Sequence, residues 1–342
     1  MRDFLTGKRI LVTGACGTIG REITRILSGG EYGDLEELVG IDNNESELFF
    51  LEQQYGKPRS HFFQRDLRDY MGLREVFHDV DFVFHTAALK HVGICEKSPG
   101  EAVLTNIIGL ENAIKAAHRC RVECFVFTSS DKAVNPTNVM GTSKLMGERL
   151  VTAANNSREN RRTLFVSTRF GNVLGSRGSV VPVFREQILS GRDVTLTSRE
   201  MTRFVMTIAE AARLVIESSA VARGGEVFIT KMPVARIEDL AAVMIEALSG
   251  REGRRHAPTI KEIGVKPGEK MYEELMSDEE VGRALETKDF FVVLPAFRDL
   301  YEIEYTYPDS LHNRVTNSYK SSDEPALSRE QLRNYLLENA II

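Results

Sequence analysis

Through its first half the chain alternates short apolar runs with longer stretches of helical period. The runs are KRILVT (Lys8 to Thr13), ELVGI (Glu37 to Ile41), FVFHT (Phe82 to Thr86), CFVFT (Cys124 to Thr128) and LFVST (Leu164 to Thr168). Continuous runs rich in Val, Ile and Phe are what parallel strands buried on both faces require, and each parallel pair needs a crossover between its strands. Ile19 to Leu27 and Ala102 to Ala117 carry the helical pattern that supplies such crossovers. The expected class is α/β, a Rossmann-type doubly wound parallel sheet.

After Phe170 the texture changes to Gly, Ser and Pro punctuation, beginning with GNVLGSRGSVVP. A dinucleotide-binding domain is therefore expected over 1–170 and a smaller C-terminal substrate lobe of mixed α/β character over 171–342, with some of its segments returning to the first domain. A chain of 342 residues has the length for this, at roughly 150 residues per domain. The polar stretch from Asn313 to Pro325 reads as a surface loop.

Composition removes several function classes. The net charge is −5 with no basic block, so neither nucleic acid nor an anionic membrane is an expected partner. No stretch approaches the ~20 apolar residues of a membrane span, and the N-terminus lacks a signal-peptide core, so a cytoplasmic protein is expected. Four cysteines (Cys16, Cys95, Cys120, Cys124) form no CxxC and are read as reduced and mostly buried. The scattered histidines offer no metal-ligand spacing, and no metal is expected.

Directly after the first strand comes Gly14-Ala15-Cys16-Gly17-Thr18-Ile19-Gly20, a GxxGxxG opening a helix. Glycines there let the backbone approach a pyrophosphate, which rests on the helix N-terminus beside Thr18 and Ile19. The second strand leads to Asp42, placed to bind ribose hydroxyls and to repel a 2′-phosphate, which favours NAD. Asn43 and Asn44 leave NADP open. Asp66 and Leu67, after another short strand signal, are expected over the adenine, and the small Ala87 and Ala88 near the middle of the cofactor.

The densest chemistry is SSDKAVNPTNVMGTSK, Ser129 to Lys144. Ser130, Asp131 and Lys132 follow a buried strand at the carboxyl edge of the sheet, where open α/β folds bind ligands. Met140 and Lys144 are four apart and share a helix face. A hydride-transfer site needs a proton acceptor near the alcohol and a cation near the nicotinamide, and Lys144 suits the second task.

With these motifs the chain resembles the extended short-chain dehydrogenase/reductases. More narrowly, it is similar to bacterial nucleotide-sugar 4,6-dehydratases of polysaccharide biosynthesis, above all those acting on UDP-N-acetylglucosamine. RFGNVLGSRGSVVPVF (Arg169 to Phe184), MTRFVMT (Met201 to Thr207) and GVKPGEKMYEELMS (Gly264 to Ser277) carry that match together with SSDKAVNPTNVMGTSK. Met140 stands where the wider superfamily has a tyrosine, and it cannot move a proton. The group that takes the alcohol proton is then Ser130, Asp131 or Lys144.

The resemblance implies oxidation at sugar C4, loss of water across C5 and C6, and return of the hydride to C6. Lys132, as a neutral amine in a desolvated site beside other cations, would take the C5 proton, and Asp131, if protonated, would donate to the departing hydroxyl. Substrate contacts are expected from Lys90, Met140, Asn172, the backbone around Val181, and Arg203, whose planar fork suits a diphosphate. Glu269 and Lys270 would close the sugar end. A homo-oligomer is implied as well. Competing readings are a 4-epimerase or reductase on the same scaffold, a dehydratase of GDP-N-acetylglucosamine, and a dinucleotide-binding regulator without catalysis.

Overall fold

A computed structural model describes residues 3–249, 258–264, 268–297, 303–307 and 309–342. Six strands, β1 (Arg9–Thr13), β2 (Glu37–Asp42), β3 (Ser60–Gln64), β4 (Phe82–His85), β5 (Cys124–Thr128) and β6 (Leu164–Arg169), pair in parallel in the order β3-β2-β1-β4-β5-β6. The order reverses between β1 and β4, and a crevice at such a reversal, beyond the carboxyl ends of the strands, is where a doubly wound sheet binds its ligand.

Successive residues of these strands feed opposite cores, as the two-residue period demands. Ile10, Val12, Phe84 and Val126 pack on one face with Ile23, Ile26 and Val215. Leu11, Val83, Phe125 and Phe165 pack on the other with Leu73, Ala113 and Ala117. Every residue of β5 is buried, which is why the run has no polar alternation.

The sheet does not stop at β6. Val227–Thr230 pairs parallel to β6, and Phe290–Val293, Ala284–Thr287 and Ser310–Arg314 extend it antiparallel, giving ten strands. A smaller sheet of Asn172–Val173, Thr202–Met206 and Val234–Arg236 lies apart from it. Beside that sheet, Val181, Phe184, Leu240 and Leu332 form a separate apolar cluster contributed by three helices.

Two local expectations change. Ala102 to Ala117 is not one regular helix: Pro99–Ala102 runs into a π-helical turn over Val103–Ile108 before the α-helix Gly109–Cys120. Asn106 on the wide turn is buried and hydrogen-bonds both Leu89 backbone groups and Ser143 Oγ, a polar tie of the kind π-turns often carry. The stretch from Asn313 is not simply a surface loop either. Tyr319–Lys320 pairs antiparallel with Glu274–Met276, and the buried Tyr319 hydroxyl bonds both backbone groups of Met232.

Candidate active site

Gly14 has φ +69°, and a Cβ there would stand 2.7 Å from the Ala87 backbone across the β1–β4 crevice. At Gly20 a Cβ would lie 2.2 Å from the Gly14 carbonyl. The helix Thr18–Ser28 can thus start tight against the loop only with these glycines. Asp42 Oδ2 accepts from Cys16 N at 3.0 Å and its Oδ1 from Asn44 N at 3.0 Å, fixing the carboxylate beside the loop. Ala87 and Ala88 line the β4 side, with Ala87 N bonded to Thr13 Oγ1. His85 below them is fully buried and held down to about 3, first by desolvation and then by Lys144, so the ring is neutral. The cradle fits a dinucleotide.

Asp66 and Leu67 follow β3. The Asp66 carboxylate pairs with Arg68, and the Leu67 side chain is buried in the core against Leu73 and Ala113, leaving its backbone for a ligand.

At the end of β5, Ser130 caps a short 3₁₀ turn, Asp131–Ala133, accepting from Lys132 N. The turn folds the adjacent Asp131 and Lys132 side chains onto each other, with Lys132 Nζ 2.9 Å from Asp131 Oδ2 and 3.1 Å from Oδ1. Ser130 Oγ donates to Asp131 Oδ1 at 2.7 Å. Burial pushes the Asp131 carboxyl up, but the Lys132 charge and the Ser130 bond outweigh it and the group lies below its ordinary range. Lys132 is pulled down by burial yet ends above its ordinary value because Asp131 and Glu273 face it. The expectation of a neutral amine among cations is therefore corrected: two carboxyls surround this lysine, Arg203 is the cation nearby, and the resting pair is ionic.

Lys144 differs. Asn138 Oδ1 caps its helix, Val139–Asn155, by accepting from Gly141 N. The buried Lys144 Nζ donates to Thr128 O at 2.8 Å and lies over the Phe127 ring, 4.8 Å from its centroid. Desolvation, partly offset by Glu148, brings it down to about 8. Met140 is buried one turn earlier among Cys95 and Ala102.

Asn172, Arg203 and Glu273 converge on the Asp131–Lys132 pair. Asn172 Nδ2 donates to Glu273 Oε1 at 2.9 Å, Arg203 Nε is 3.3 Å from the same oxygen and Lys132 Nζ is 3.6 Å from it. The other oxygen, Glu273 Oε2, is buried with no hydrogen-bond donor among the described residues. Glu273 escaped the sequence reading because its motif offers Glu269, Glu273 and Glu274 alike, and only tertiary packing tells them apart.

Arg203 is not a free fork. Its guanidinium is buried and donates to the carbonyls of Thr202, Lys270 and Met271, so it braces the segment that carries Glu273. Glu269 stands 3.8 Å from Arg203 and accepts from Thr197, while Lys270 Nζ donates to Val134 O. Val265 to Pro267 of that motif lie outside the described residues. The Val181 side chain is buried in the apolar cluster of Phe184 and Leu240, leaving only its backbone for a ligand. Lys90, exposed but drawn down by desolvation, donates to Arg177 O.

A buried ion network braces the site from behind. Arg169, at the end of β6, pairs with Glu148 (2.6 Å) and Glu280 (2.8 Å) and also donates to Leu275 O. It ties the Lys144 helix to the strand following Glu273.

Among the described residues no cysteine is paired, no metal-binding cluster occurs and no helix is long and apolar enough to cross a membrane.

A model of the family described as polysaccharide biosynthesis protein matches residues 10–295. Over 98% of this chain and 97% of its own length, a Methanocaldococcus jannaschii protein described as an uncharacterized membrane protein is 44% identical. A UDP-glucose 4-epimerase of Rickettsia rickettsii is 34% identical over 96% of this chain and 95% of its own. Among solved structures, Pen from Bacillus thuringiensis superposes with a TM-score of 0.90 at 40% identity, covering 99% of both chains. The dTDP-glucose 4,6-dehydratase DesIV of Streptomyces venezuelae, solved with NAD, shares the fold at a TM-score of 0.68 and 21% identity over 77% of this chain and 86% of its own.

Proposed function

The chain belongs to the polysaccharide biosynthesis protein family, and on that premise we propose that it is a nucleotide-sugar 4,6-dehydratase acting on UDP-N-acetylglucosamine with NAD. The observation that carries the reading is the Asp131–Lys132 pair, folded together at the carboxyl end of β5 with the buried Lys144 on the neighbouring helix. Water loss across C5 and C6 needs a base and an acid flanking one bond, and this turn puts an amine and a carboxyl within 2.9 Å.

The dinucleotide would lie on Gly14, Gly17 and Gly20 with its ribose at Asp42. A dinucleotide held there would supply the hydride acceptor for sugar C4 and the hydride donor for C6, while the C4 hydroxyl proton passes to Ser130, Asp131 or Lys144. Lys144 presents a cation beneath the crevice, at a pKa low enough to lose its proton in mildly alkaline solution. The resting pair becomes competent when the Lys132 proton passes to Asp131, giving a free amine and an acid without net proton exchange. A sugar that displaces water favours that form, because desolvation penalises both charges of an ion pair and neither of the neutral partners. Lys132 then takes the C5 proton, Asp131 protonates the leaving hydroxyl, and as the hydride enters C6 the Lys132 ammonium returns a proton to C5.

The 34% identity to a named UDP-glucose 4-epimerase supports epimerisation as the second reading. Against it stand Met140 at the tyrosine position and an acid–base pair that epimerisation does not use. Incubation with UDP-N-acetylglucosamine in deuterated water, followed by mass spectrometry and proton NMR, separates them. Loss of water with deuterium at C5 is expected; a C4 epimer with its water intact would replace the dehydratase by the epimerase. An unchanged sugar would call for the GDP sugar next.

A further inference from the structure

Glu273 has no part in the reaction as described so far, yet it is the third group of the buried cluster. Its carboxyl sits beside that of Asp131, whose charge acts on it directly. Two neighbouring carboxyls can share a hydrogen bond only when one of them carries a proton. Asp131 already accepts from Ser130 Oγ and Lys132 Nζ, so it is the acceptor, while Glu273 Oε2 has no donor directed at it. An oxygen buried without a donor is satisfied once it bears a hydrogen of its own.

We propose that Glu273 is held protonated in the working enzyme and that its neutrality releases Lys132 to act as a base. The inference rests on the dehydratase reading and deepens it. Were Glu273 ionised, Lys132 would face two carboxylates and keep its proton. With Glu273 neutral, only Asp131 holds the ammonium, and Asp131 is the group that must receive that proton. Glu273 exchanges no atom with the sugar; it is a positioning residue acting through Lys132 and Asp131. The charged groups facing it are Asp131 and Lys132 from the β5 turn and Arg203 from the small sheet, with Lys270 on its own segment. Desolvation and the Asp131 charge raise it to about 7 against Lys132 and Arg203.

The test is Glu273→Gln. Gln has the shape of a protonated Glu, accepting from Asn172 and donating to Asp131, and it cannot ionise. Infrared difference spectra of wild type against this variant should show a protonated-carboxyl band that disappears as pH rises through neutrality and is absent from the variant. No such band overturns the proposal, and so does a Gln variant that fails to fold, since a neutral Glu273 leaves Gln nothing to disrupt. In turnover, the variant should keep most of the wild-type rate and hold it to higher pH, up to the range of Lys144. Loss of water elimination at every pH would mean that the carboxylate itself is needed. If wild type releases no water from either sugar nucleotide, the dehydratase reading falls, while the infrared band still decides whether Glu273 holds a proton.

Discussion

Lys132 Nζ stands 3.6 Å from Glu273 Oε1, although one residue follows β5 and the other precedes the strand Glu274–Met276. With the Asp131 contact at 2.9 Å, the lysine is the cation around which two buried carboxyls are arranged. Lys132→Ala should therefore cut water loss by about 100- to 10,000-fold, the usual worth of a general base. Dinucleotide content should not change, because the glycine loop has no contact with this side chain. Product NMR and cofactor release on denaturation check both halves; normal turnover would remove Lys132 from the mechanism.

Arg203 separates two roles through steady-state kinetics. A diphosphate grip predicts a raised KM, whereas the bracing seen here, through the carbonyls of Lys270 and Met271 and the Glu273 carboxyl, predicts a lowered kcat with KM little changed. Arg203→Ala is expected to follow the second pattern. A large rise in KM at unchanged kcat would restore the diphosphate role.

Arg169→Met leaves Glu148 and Glu280 buried without their cation. Removing one partner of a buried ion network costs about 3–5 kcal/mol. Denaturant unfolding should show that loss as a lower midpoint at unchanged slope. A variant as stable as wild type would mean that water or Arg283, 3.6 Å from Glu280, takes over the pairing.

Lys144 couples stability and pH in an unusual direction. Its value in the fold is about 8 against an ordinary 10.5, so between those limits the unfolded chain binds more protons than the folded one. Stability from this group accordingly rises as pH climbs through that window and is lowest below it. Lys144→Met should flatten the rise in unfolding free energy measured on dinucleotide-free protein. In Glu273→Gln, where the earlier fall near neutrality is removed, activity should move the opposite way, falling above about 8 as the cation is lost.

Five of the six parallel strands and the glycine loop were readable because each is a local pattern: a buried parallel strand must be apolar throughout, and a backbone in contact with Ala87 must be glycine at Gly14. The edge strand Ser60–Gln64, polar at both ends and exposed at one, gives only a short signal. The π-helical turn at Val103–Ile108 was not, since its apolar spacing differs from an α-helix by one residue in a turn. The strand Tyr319–Lys320 hid in a polar stretch because its burial comes from a single aromatic whose partner, Met232, is distant in sequence. At the site, Asp131 and Lys132 could be named from their position after β5. Their charge state could not, because it depends on Glu273 and Arg203, which only the folded chain brings to them.

The pairing of Glu274–Met276 with Tyr319–Lys320 also fixes an order of assembly. During synthesis the glycine loop and the Asp131 turn emerge early, with every strand from β1 to β6 available to hold them. The segment bearing Glu273 acquires its sheet partner only after residue 320 has appeared. A nascent chain thus carries the residues of its glycine cradle well before those of its acid–base cluster, and a version cut short between those points would lack the Glu273 carboxyl.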